Sequence, residues 1–192
     1  DCPDDLVTPS GNADLVPDAS DRPDTPDEPE EPEEPAGPAL VDTPVVGTAY
    51  KFGLVQGNIG KTIFINGEMA KTYYFGSTED PTAAIDVTLE QATGGYYLAA
   101  KIDGAKKYIN LVTSGTHVNA VYQDTASSVY TLDTANKMLI TNVNSTPYAL
   151  GTYNTFDTIS PSKTSYTGNF WCWFYDATET PDTPVEPDVP DV

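Results

Sequence analysis

The chain has 192 residues, with 29 Asp and Glu against 9 Lys and Arg, and a formal charge of −20. That balance disfavours nucleic acid as a partner, and no apolar run approaches the ~20 residues of a membrane-spanning helix. Two cysteines are too few for a disulfide-stapled miniprotein or a multi-cysteine zinc finger, and the length predicts one domain, two at most.

The composition is split along the chain. Residues 1–47 hold 14 acids, one Arg and ten Pro, without an aromatic. The stretch DTPDEPEEPEEP from Asp24 to Pro35 repeats proline at the three-residue period of polyproline II. Like charges extend such a segment further, and it has nothing apolar to bury. Residues 1–47 are therefore expected to be an acidic spacer, disordered or polyproline II. A calcium site would need carboxylates converging on one point, and these are spread along a rod. No start methionine, basic region or apolar signal run opens the chain, which fits a mature product or a fragment. A lipid-bearing cysteine would be the first residue of a mature chain, so with Asp1 before it Cys2 is not expected to carry a lipid.

Residues 48–177 carry all 20 aromatics and a net charge of only −2 (eight Lys, ten acids). Short runs of Val, Ile, Tyr, Phe and Thr are broken by turn signals: NG at 66–67, GG at 94–95, DG at 103–104 and SG at 114–115. No stretch holds a 3.6-residue period for ten residues or more. This segment is expected to be all-β.

Its most informative property is an internal repeat. Leu54 recurs as Leu98 and Leu139, at steps of 44 and 41 residues. Phe64 recurs as Tyr108 and Tyr148, at 44 and 40. Tyr74 recurs as Val118 and Ile159, and Ile85 as Val129 and Phe170, both at 44 and 41. Four landmarks in register predict three units of four short strands. Three units are too few for a propeller, whose blades number four to eight. The strand–turn–GK(Y/F)hh–strand rhythm, with h apolar, resembles fascin-like and ricin-type β-trefoils over the whole middle segment. The resemblance implies a barrel with a hairpin cap. The Gln-x-Trp signature of the ricin-type lectins is missing from all three units; the third has Trp171 and Trp173 near that place, without the glutamine. Acidic proline-rich linkers around a β segment are also similar in style to modules of secreted or surface proteins of Gram-positive gut bacteria.

Candidate chemistry is sparse. His117 is the only histidine and falls on an expected strand, where the repeat matches it to Tyr73. That argues for a surface or structural role and against a catalytic triad or a transition-metal site. Gly60-Lys61-Thr62 imitates the end of a phosphate loop, but position 55 is Val and a strand follows, so the pattern fails. Lys101, Lys106 and Lys107 read as a solvated hairpin, and Asn144-Ser145-Thr146 is a glycosylation sequon followed by Pro147. In FWCWFY, alternation sets Phe170, Cys172 and Phe174 on one face and Trp171, Trp173 and Tyr175 on the other. With Cys172 inside as a small hydrophobe, the tryptophans face outward or lie against the hairpin cap. A Cys2–Cys172 disulfide would need Cys172 exposed.

Residues 178–192, with five acids, four Pro and no base, repeat the character of the first spacer. The reading that follows is a non-catalytic extracellular binding module, secreted or on a cell surface, with no cofactor or metal. Its partner would be a carbohydrate or another surface polymer, held by Trp171, Trp173, Tyr130 and Tyr175. A glycan or a surface protein is the expected partner, with neighbouring domains of a larger chain or assembly, no nucleic acid and no membrane insertion. The competing reading is a structural or protein-interaction bead with no small-molecule site, which burial of both tryptophans would favour.

Overall fold

Fourteen antiparallel strands and no helix make up residues 37–176, the part of the chain that the computed structural model describes. β-branched and aromatic residues fill them, and glycine or a short polar pair turns the chain between them. No helix among these residues could therefore span a membrane, which leaves membrane β-barrels unaddressed. The spacers at residues 1–36 and 177–192, and Cys2, lie outside the described residues.

The first sheet joins β1 (Ala39–Leu40), β14 (Trp173–Asp176), β2 (Ala49–Gln56), β5 (Asp86–Ala92), β6 (Gly95–Ile102), β7 (Ala105–Ser114) and β8 (His117–Gln123) in that order. β3 (Lys61–Lys71) branches from β2 and pairs with β4 (Tyr74–Thr78). The second sheet orders β12 (Ser160–Lys163), β11 (Thr146–Tyr153), β10 (Met138–Val143) and β9 (Thr131–Asp133), with β13 (Asn169–Trp171) also on β11. The sheets curl around one main core. Two of the four repeat landmarks fall on successive strands, Leu54, Leu98 and Leu139 in β2, β6 and β10, and Phe64, Tyr108 and Tyr148 in β3, β7 and β11, whereas in the fourth Ile85 and Val129 lie outside the strands and Phe170 lies in β13. Tyr74 and Val118 lie in β4 and β8, and Ile159 just precedes β12.

Turn chemistry explains much of this. Asp103 and Gly104 both take positive φ (50° and 79°) and link β6 to β7, the two-residue hairpin that Asp-Gly favours. Asn144 and Ser145 do the same between β10 and β11 (49° and 63°). The NG at 66–67 is not a turn as expected. Gly67, at φ 84°, forms an irregularity inside β3, where the pairing with β4 shifts between Ile65 and Met69. The Asn66 Oδ1 accepts the Glu68 amide at 3.0 Å, so the Asx geometry is used to bend a strand rather than reverse it.

The sheet reaches further back than residue 48. Ala39 and Leu40 pair with Asp176 and Tyr175, the Val41 amide donates to the Phe174 carbonyl at 3.0 Å, and the Trp173 indole donates to the Val41 carbonyl at 2.6 Å. Part of the expected spacer is thus a strap over β14.

This strap corrects the expected facing of FWCWFY. β13 ends at Trp171 on β11, and β14 begins at Trp173 on β2. Cys172 falls in the gap as the chain crosses between sheets, its amide donating to the Leu150 carbonyl at 2.9 Å. The alternation is broken there, and both faces of β14 are covered. Trp173 is 1 % exposed, as is Cys172, a free thiol; Phe174 is fully buried.

Burial of weak acids in their neutral form has a pH consequence. Burial pushes the Cys172 thiol and the Tyr122 and Tyr130 hydroxyls well above their ordinary range, and Tyr175 up to about 12. Their folded pKa values are raised, so their contribution is complete below the unfolded values and is lost as pH rises past them. Those unfolded values are about 8.5 for Cys and about 10 for Tyr. The urea midpoint is therefore expected to hold level near neutrality and to fall with alkali. Cys172→Ala should delay the fall to the tyrosine range, near pH ~10; a midpoint indifferent to alkali contradicts this account.

Candidate functional site

Three of the four expected ligand contacts are buried. Tyr130 is 0 % exposed and its hydroxyl donates to the Ile109 carbonyl at 2.9 Å. Trp173 is under the strap, with the Lys137 ammonium 5.7 Å from its ring centroid. Tyr175, 7 % exposed, packs edge-on against Phe64 with centroids 5.3 Å apart. Trp171 is half-buried on β13 beside Gly151. These rings form no shared platform; they are spread through the core because β14 is covered on both sides.

Open aromatic surface lies elsewhere, in a cavity of about 730 Å³ where β4, β8 and β12 meet. Backbone bonds latch these segments together. Phe75 and Ile159 exchange amide–carbonyl bonds at 2.9 and 3.0 Å, and the Ala120 amide donates to the Tyr73 carbonyl at 3.2 Å. The cavity is lined by Tyr73 and Tyr74 from the start of β4, by Tyr148 of β11, and by Tyr166 beyond β12. Tyr166 (55 % exposed) and Tyr73 (38 %) stand open to solvent. Tyr73 stands edge-on to Tyr74 with centroids 4.2 Å apart, which fixes both rings. The loop carrying Tyr166 is closed by its own amide donating to the Lys163 carbonyl at 3.0 Å, and by the Thr164 amide donating to the Pro147 carbonyl at 3.1 Å.

Polar groups complete the wall. Ser114, Thr116, His117 and Asn119 come from the β7–β8 hairpin, which turns at Gly115 with φ 62°. Ser160, Ser162 and Lys163 come from β12. Among the described residues, no Asp or Glu lines the cavity. His117 is exposed there as the first residue of β8, cross-strand from Ser114, with no carboxylate among the lining residues to orient it as a base.

Other singled-out features have ordinary partners. Lys61 of the GKT sequence bridges Glu79 and Asp157, both at 2.9 Å, and these pairs hold its pKa above the usual lysine value. Lys106 pairs with Glu90 at 2.7 Å and Lys107 with Asp124 at 2.5 Å. Among the described residues, no three His, Cys, Asp or Glu side chains are grouped to hold a metal ion.

The tyrosine cavity was partly visible in the sequence. Tyr74 and Tyr148 are repeat landmarks, read there as strand residues rather than contacts. Tyr73 was read only as the repeat counterpart of His117, and Tyr166 and Lys163 carried no signal, because only the docking of distant segments brings them together. No protein-family model matches the chain, and no curated protein or solved structure matches it closely enough to carry an inference.

Proposed function

We propose that this is a non-catalytic, extracellular binding module of β-trefoil type, which holds a carbohydrate or another surface polymer in the tyrosine-lined cavity. The trefoil reading is supported by the two repeat landmarks that fall on successive strands, those of Leu54 and Phe64, and by the pairing of β14 with β2, which joins the last strand to the first unit. Extracellular placement rests on composition: few cysteines, abundant Thr, Ser, Asn and Tyr, and acidic linkers. The observation that carries the binding role is four tyrosines around one open, hydroxyl-rich cavity. Flat rings take the apolar face of a sugar at small entropic cost, and the hydroxyls and Asn119 supply the few directional bonds. A shallow site of this kind binds weakly, with repetition along a polymer supplying strength.

Calorimetric titration of the full chain with polysaccharide fragments tests this. Tyr166→Ala should weaken binding about tenfold, the worth of roughly 1.4 kcal/mol of stacking, with the urea midpoint unchanged because the ring is exposed. Unaltered affinity in this variant would remove the cavity from the account. A structural bead is the second reading, favoured by the burial of Trp173, Tyr130 and Tyr175. A wild-type chain silent toward every fragment supports it.

A further inference from the structure

We propose that the cavity selects acidic sugars, and that Lys163 receives a ring carboxylate while a tyrosine holds the ring; this rests on the binding role proposed above. Three observations point the same way. The β segment contains ten acids, yet none lines the cavity. Lysines 51, 61, 106, 107 and 137 are in ion pairs with carboxylates, and of Lys71, Lys101 and Lys163, which are in none among the described residues, only Lys163 lines the cavity. Lys163 is exposed, lines the cavity and makes no ion pair among the described residues.

Its setting is that of a cation beside rings. Lys163 lies directly cross-strand from Tyr148, so their Cβ atoms are about 5 Å apart. On its other side the chain turns back, and the Tyr166 amide donates to the Lys163 carbonyl. The Lys163 side chain thus leaves the backbone between one half-buried and one open tyrosine. A pyranose stacked on an aromatic face projects its exocyclic C6 group beyond the ring edge. In a uronic acid that group is a carboxylate, which pairs with an ammonium; in a neutral sugar it is a hydroxymethyl, which the serines can equally serve. The ammonium is the one lysine or arginine charge in the wall, and it favours the carboxylate over the hydroxymethyl.

The chain's own charge of −20 repels a polyanion at long range, so discrimination must come from close contact. At 0.15 M salt the Debye length is about 8 Å, which screens the distant acids while leaving a contact pair effective.

The test is calorimetric titration of the full chain at that salt with tetragalacturonate and with its fully methyl-esterified form, which keeps shape and loses charge. The acid should bind about tenfold tighter than the ester, the scale of a charge-assisted hydrogen bond. Lys163→Gln should bring the acid down to the ester's affinity and leave the ester unchanged, whereas Lys163→Arg should keep the preference. Tyr166→Ala should weaken both ligands alike. Acid and ester binding equally would overturn the charge selection and leave the cavity's binding role intact. Neither binding would overturn both. Poly-glutamate binding through Lys163 in place of the tetrasaccharide would overturn the sugar and assign an acidic peptide.

Discussion

Trp173→Ala should be the most damaging single substitution in the β domain. The indole is 1 % exposed and packs edge-on against Phe174, with centroids 5.6 Å apart. Truncation of a buried Trp costs about 3–5 kcal/mol through lost burial and the cavity left behind. Here it also strands the Val41 carbonyl, which accepts the indole N–H at 2.6 Å. A domain of this size has only about 5–15 kcal/mol in hand. The variant should therefore show a urea midpoint far below wild type, with Trp171 as the sole remaining tryptophan reporting the transition. Trp173→Phe separates the two contributions: it keeps most of the volume and loses the hydrogen bond, for about 1–3 kcal/mol. A wild-type midpoint in Trp173→Ala would mean that the strap and β14 contribute nothing to stability.

Gly53→Ala should come next. Gly53 lies in the middle of β2, paired with Phe64 of β3 on one side and Trp173 of β14 on the other. A Cβ built there would sit 2.0 Å from the Ile63 carbonyl oxygen and 2.8 Å from the Phe64 Cα. Both are backbone atoms, so no rotamer change relieves the clash, and β2 must move away from β3. Overpacking typically costs about 1–3 kcal/mol, and a rigid backbone neighbour puts this case at or above the upper end. Gly37→Ala is the control, since nothing lies within 4 Å of its added methyl. Equal urea midpoints for the two variants would mean that β2 and β3 have room the geometry denies them.

The all-β class was legible because short β-branched and aromatic runs and turn dipeptides are local signals, and the landmarks were legible because they recur at nearly fixed steps. What the sequence hid depended on contacts between distant segments. Alternation alone makes one face of FWCWFY solvent-facing; a strap from residues 39–41 covers it, and that strap has the composition of a spacer. Asn66-Gly67 has the chemistry of a turn and was spent on an irregularity within β3. Two polar side chains were equally invisible as structural elements. Asn110, 1 % exposed, bonds to Gln123, Thr125, Ser127 and Ser128 and so shapes the loop before Tyr130. Gln56, 0 % exposed, donates to the carbonyls of Asn154 and Phe156 and pins the loop that follows β11. The candidate site followed the same pattern: Tyr74 and Tyr148 lie far apart in the chain, and only the latching of β4, β8 and β12 brings the cavity's tyrosines together.

The pairing of β1 with β14 also sets how the domain bears load. Ala39 and Asp176 face each other at one end of a short antiparallel ladder, so the chain comes in and goes out side by side. Tension applied through these two points pulls across the ladder and opens its hydrogen bonds one after another, as a zipper does, instead of shearing them together. The strap would yield first, at low force, and its release would uncover Trp173 while the remaining strands stay paired. A tug on the two flanking segments is thereby converted into the exposure of a large aromatic side chain.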